Sequence, residues 1–100
     1  MKNKEQISFI MSQFDFEKIH SVMKFLKWKW KFSNNEFRVP NIEELKIAAI
    51  NCLNKVATSH DEVDHFSIGG FEADKINNVL ELRFILDKSN PLSQMLHTKL

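Results

Sequence analysis

The chain predicts an α+β fold: an antiparallel sheet of four to five strands packed on one face by two helices, in the order β-α-β-β-α-β-β. Three observations predict it. Two segments, residues 16–27 and 42–59, carry apolar side chains at three- and four-residue spacing, the period of an amphipathic helix. Two others, residues 28–32 and 79–86, alternate apolar and polar positions, the period of a half-buried strand. Short turn signals join the strand segments, as antiparallel pairing requires. The length of 100 residues, 43% of them apolar and including nine Phe and two Trp, suits a single domain over residues 1–100.

The elements follow in order. Ile7-Ser8-Phe9-Ile10-Met11 is short and β-prone and predicts a first strand. Asp15 then caps a helix whose apolar stripe is Phe16, Ile19, Val22, Met23 and Leu26. In Lys27-Trp28-Lys29-Trp30-Lys31-Phe32 the strict alternation puts the aromatics on one side and three lysines on the other. Ser33-Asn34-Asn35-Glu36 is a turn, because Asn tolerates left-handed backbone angles, and Phe37-Arg38-Val39 returns as a short strand that Pro40 stops. Asn41 with Glu44 forms a capping box, and the helix it opens presents Ile42, Leu45, Ala49, Cys52, Leu53 and Val56 on one stripe. Residues 60–65 form a polar, acidic loop. A strand pattern resumes at Phe66, is interrupted by Gly69-Gly70 (a bulge, sharp bend or close backbone approach), and turns again at Asn77-Asn78. The segment from Asp87, with Pro91, is a loosely held tail or a short helix, since Leu92, Met95, Leu96 and Leu100 have helical spacing.

Composition narrows the function classes. The formal charge of +1 gives no global field toward nucleic acid, but the charge is split along the chain. Residues 17–38 carry a local net charge of +4 and residues 58–81 one of −5. Such a split allows two kinds of partner, or pairing with a second copy as a homodimer. Cys52 is the only cysteine, which excludes an intramolecular disulfide and a cysteine-rich zinc site and fits a reducing cytoplasm. No apolar run approaches the roughly 18 residues of a membrane span, and none fits a signal peptide, so the chain reads as soluble and cytoplasmic, without a membrane partner.

The candidate partner-binding residues are Lys24, Lys27, Lys29, Lys31 and Arg38. Lysines in a row take phosphates or carboxylates without sequence choice; the plainer reading is a charged edge strand kept from unwanted pairing, over a tryptophan core. His60, Asp61, Asp64 and His65 are metal-capable but match no established ligand spacing, so neither a metal nor any other cofactor is expected. Gly69-Gly70 lacks the Lys-Ser/Thr of a phosphate loop. Cys52 sits on an apolar helix stripe, where a thiol is a small hydrophobe, and no serine has a nucleophile-elbow context. No enzyme activity is expected.

Phe14-Asp15-Phe16-Glu17-Lys18-Ile19-His20, then Met23, Leu26, Trp28 and Trp30, Pro40 with Glu44-Leu45, and Gly69-Gly70-Phe71 with Leu80-x-Leu82-x-Phe84 form a string that resembles a group of small phage and prophage accessory proteins of unassigned function. The resemblance spans residues 7–86 and brings no catalytic residues. This chain departs from it in its extra lysine around Trp28 and its longer tail after Asp87. The resemblance implies a phage protein acting in the host cytoplasm as an inhibitor of host defence, an anti-CRISPR protein being one such kind. Its partner would be a host protein or ribonucleoprotein effector, bound by surface occupation. The alternative is a direct nucleic-acid binder using the lysine-rich strand, and a metal-dependent enzyme built on the loop 60–65 ranks last.

Overall fold

The computed structural model describes residues 2–85 and 94–99, with side chains from residue 3 to 85. It is an α+β structure with α1 (Lys2–Gln13), α2 (Phe16–Leu26), β1 (Trp30–Lys31), β2 (Phe37–Arg38), α3 (Ile42–Ala57), β3 (Val63–Ile68), β4 (Phe71–Ile76), β5 (Val79–Ile85) and β6 (Gln94–Lys99). β1 and β2 form a two-stranded ribbon by themselves, and β3-β4-β5-β6 form an antiparallel meander in that order. Class and antiparallel pairing agree with the sequence. The order of elements and the make-up of the sheet do not.

The first correction is at the N-terminus, where the expected strand over residues 7–11 is the middle of α1. Ile7, Ile10, Met11 and Phe14 stand at i, i+3, i+4 and i+7, the helical period, while the shorter set Ile7, Phe9 and Met11 also fits a strand, and Lys4-Glu5-Gln6 ahead of them are good helix formers. The helix aims fully buried Ile10 at the core, and nearly buried Phe14 follows directly after its last residue. The second is the strand expected over residues 28–32, which shortens to Trp30–Lys31 and stays out of the large sheet. The third is the C-terminal segment: Gln94–Lys99 pairs with β5 as a strand and is not a helix, while residues 86–93 lie outside the described ones.

α2 and α3 form where expected. The Asp15 carboxylate accepts from Lys18 N–H at 3.0 Å at the start of α2. At α3 the capping box is complete: Asn41 Oδ1 accepts from Glu44 N–H and Glu44 Oε1 from Asn41 N–H, both at 2.9 Å. α3 lies across β3, β4 and β5, α1 packs beside it, reaching β5 and β6, and α2 also rests on α3. Leu45, Ala49, Cys52, Leu53 and Val56 of α3 are fully buried against Phe71, Ala73, Leu80, Leu82 and Phe84. Each fully buried large apolar side chain contributes about 1.5–3 kcal/mol. At the far end of α3, the nearly buried Lys75 sends its ammonium 2.5 Å from the Ser59 carbonyl, placing a cation at the negative end of the helix.

Both tight turns of the meander are two-residue turns with positive φ at each central position: 59° and 96° at Gly69 and Gly70, 51° and 67° at Asn77 and Asn78. That pair of angles is the hairpin turn whose twist matches its strands. Gly69-Gly70 is therefore a turn and not a bulge, and the glycines answer a second demand as well. A Cβ on Gly69 would stand 2.5 Å from the Trp30 ring, and one on Gly70 2.8 Å from Phe84 and 3.0 Å from Trp28. The tryptophans thus pack on the core at the turn end of the sheet and are half-buried. Trp28 meets Phe84 with ring centroids 5.4 Å apart, and Trp30 meets Phe71 at 6.5 Å.

Candidate interaction surface

α2 ends because Lys27 adopts a left-handed conformation (φ 53°, ψ 40°). Its N–H reaches the Lys24 carbonyl at 3.2 Å, and Trp28 N–H reaches the Met23 carbonyl at 2.9 Å, a Schellman termination that drops Trp28 onto the core. Lys27 therefore belongs to the helix end, which corrects the row of three lysines expected along one strand. Only Lys29 and Lys31 share the outer face of the ribbon, and Phe37 sits opposite Lys31 on that face. The Lys31 ammonium lies 5.9 Å from the Phe37 ring centroid.

Lys24, Lys27, Lys29 and Lys31 are exposed, and none forms an ion pair among the described residues. Around them stand three large apolar side chains that face solvent: Phe25 is 85% exposed, Phe37 64% and Leu26 51%. Leu26 corrects the expected apolar stripe of α2, whose last member it is, and Phe37 faces solvent although it shares parity with Val39; only for Phe25 is phase the signal, since it falls off the α2 stripe.

Arg38 behaves differently from the lysines. Its guanidinium holds both Glu44 oxygens at 2.7 Å and lies 3.9 Å from the Phe32 ring centroid. The Glu44 carboxyl is held down to about 2, first by this guanidinium and then by the Asn41 N–H. Arg38 thus clamps the ribbon to the start of α3, and its charge is already matched within the chain.

The acidic half of the chain is also partly matched internally. On the sheet face carried by the other parity, Arg83 bonds to Glu72 at 3.0 Å, to Glu81 at 2.6 Å and to Asp74, and His65 Nδ1 lies 2.5 Å from Asp74. Burial alone would raise the Asp74 carboxyl, but the His65 and Arg83 hydrogen bonds outweigh it and the group is lowered. Cross-strand register creates this cluster, since Glu72 pairs with Arg83 and Asp74 with both His65 and Glu81. Spacing along the chain does not reveal it.

The four metal-capable residues of the segment 60–65 do not converge. Asp64 and His65 are adjacent in β3 and so point to opposite faces, and no group of three or more His, Cys, Asp or Glu that could hold a metal stands among the described residues. Cys52 is fully buried, its Sγ 3.3 Å from the Phe66 carbonyl, and burial pushes its thiol up to about 11, away from nucleophilic use. A cleft of about 970 Å³ lies between the first half of α1, the second half of α3 and Asn78. A smaller recess of about 370 Å³ separates β1 from Ala48 and Gly69. Among the described residues no helix is long and apolar enough to cross a membrane.

No family model matches the chain, and neither a curated protein nor a solved structure matches it.

Proposed function

We propose that the protein is a non-enzymatic binding protein that acts by occupying a surface on a partner macromolecule, with the end of α2 and the β1–β2 ribbon as its contact. One observation carries this reading: four lysines without an ion pair among the described residues interleave with Phe25, Leu26 and Phe37, which face solvent, while Arg38 and much of the acidic half are already paired. Exposed aromatics anchored among cations are what a protein interface buries at its centre and steers with at its rim. The setting implied by the resemblance is inhibition of a host defence machine, a CRISPR effector among them, which needs complementarity and no chemistry.

The second reading, direct nucleic-acid binding, is favoured by the same pairing of lysines with Phe25 and Phe37, since bases stack on exposed rings. Replacing Lys27, Lys29 and Lys31 together by Glu separates the two. The variant keeps the wild-type circular dichroism, because exposed charges add little to stability. It loses the partner captured from nuclease-treated host lysate. Capture that vanishes with nuclease alone, together with steeply salt-dependent binding to any single strand, establishes the second reading instead. Capture unchanged in the folded variant rejects this surface for both.

A further inference from the structure

β3 is an edge strand of the meander, and its outward backbone can be identified from the pairing pattern. Ile68 and Phe71 flank a two-residue turn and exchange hydrogen bonds, so Ile68, Phe66 and Asp64 point their N–H and C=O groups at β4. Asn77 N–H on Glu62 C=O at 2.9 Å continues this alternation. Val63, His65 and Ser67 therefore turn theirs away from the sheet, and all three residues are exposed.

Sheet edges are commonly blunted by lysine, proline or a bulge. β3 has none of these over its six residues, and its register with β4 is unbroken. What it has is Asp64, whose Oδ1 accepts from the His65 N–H at 2.8 Å. The carboxylate thus occupies the middle one of three outward donors. With exposed Asp61 and Glu62 just ahead of it, the edge is locally acidic. On β4, Lys75 stands in register opposite Asp64, but its ammonium is turned to the Ser59 carbonyl, and the Lys55 ammonium lies 5.9 Å from the Phe66 ring.

We infer that the β3 edge is a docking site for an extended protein segment carrying Lys or Arg across from Asp64, added as a fifth strand. The guard and the selector are one group. A strand without a cation meets an anion lodged where its own carbonyl oxygen should sit, and β3 of a second copy carries no Lys or Arg to relieve this. A cationic side chain draws the carboxylate to itself, and the His65 N–H becomes available to the incoming backbone. Exposed Val63 and Ile68 then gain apolar contact at the two ends of the strand.

The test uses the full chain and two blocked, fluorescein-labelled hexapeptides, one alternating Val with Lys and the other Val with Glu. Fluorescence anisotropy reports the affinity, and amide hydrogen exchange reports the location. The expected result is binding of the Val–Lys peptide alone, with new protection at Val63, His65 and Ser67. Ser67→Pro removes an outward donor and leaves the ladder to β4 intact, so it weakens binding about tenfold, the equivalent of one backbone hydrogen bond. Asp64→Lys reverses the preference toward the Val–Glu peptide and keeps the proposal testable if the proline variant fails to fold. The proposal is overturned by no binding of either peptide, by equal binding of both, by protection that appears on β1 and β2, or by wild-type chains that associate through β3 in sedimentation. None of these outcomes bears on the lysine surface, which the lysate capture judges separately.

Discussion

Placing a methyl group on either glycine of the β3–β4 turn probes how closely the aromatic seam is fitted. Gly69→Ala and Gly70→Ala both force a side chain onto a positive φ and into a ring, so each lowers stability by about 2–4 kcal/mol, read as the shift in urea midpoint at constant slope. A loss under 1 kcal/mol (roughly one neutral hydrogen bond) would mean that the rings yield without cost. The seam itself runs from Phe14 and Phe16 through Phe71 and Phe84 to the two tryptophans and Phe32, with successive centroids 5.1–6.5 Å apart. Trp30→Ala consequently costs on the order of 3 kcal/mol, although the residue is only half-buried. At Cys52 the expectation is chemical. A thiol raised to about 11 and fully enclosed reacts with an aromatic disulfide reagent only as fast as the chain opens, so its labelling rate falls to the unfolding rate. Fast stoichiometric labelling at pH 8 would contradict that placement.

At the scale of elements, α3 and the ribbon are tied by a single carboxylate. Glu44 caps its own helix and receives Arg38, with its side chain about a quarter exposed. A glutamate that titrates near 4.5 when unfolded and near 2 when folded adds stability above the unfolded value, and that stability is lost as the pH falls from 4.5 toward 2. Glu44→Gln should therefore melt below the wild type at pH 7, by the equivalent of about 1–2 kcal/mol, and the gap should close in acid. A gap that stays constant down to pH 2.5, well below the ordinary carboxylate range, would assign the loss to shape instead of charge. This element was legible in the sequence because its determinants are local: Asn41, Glu44 and a stripe at 3.6 spacing. α1 was not, since five β-prone residues fit either period and only packing of Ile10 beneath α3 and the sheet decides between them. Ile10→Ala should accordingly cost about 2–5 kcal/mol, which a terminal strand pairing only by its backbone would not show.

For the molecule as a whole, charge placed along the chain and charge placed in space tell different stories. Lys24, Lys27, Lys29 and Lys31 were legible as a basic surface because residues adjacent in sequence stay adjacent on a helix end and a short ribbon. That Arg38 is paired was not legible because its partner, Glu44, comes from the next element, and the Arg83 cluster was invisible because three strands must be in register before it exists. The helices are set by local periods and caps, whereas strand partnership is a non-local choice made by the core. One optical consequence follows from the turn that admits the rings. Both tryptophans of the chain lie at the junction of ribbon and sheet, and the Trp30 indole nitrogen there is enclosed and meets no acceptor among the described residues. Intrinsic fluorescence is then a gauge of that junction alone, blue-shifted while the ribbon is seated, whereas far-ultraviolet dichroism is dominated by the helices. A partner that grips the ribbon will change the emission without touching the dichroism, and heating will show through any mismatch between the two signals whether the ribbon lifts before the rest of the molecule melts.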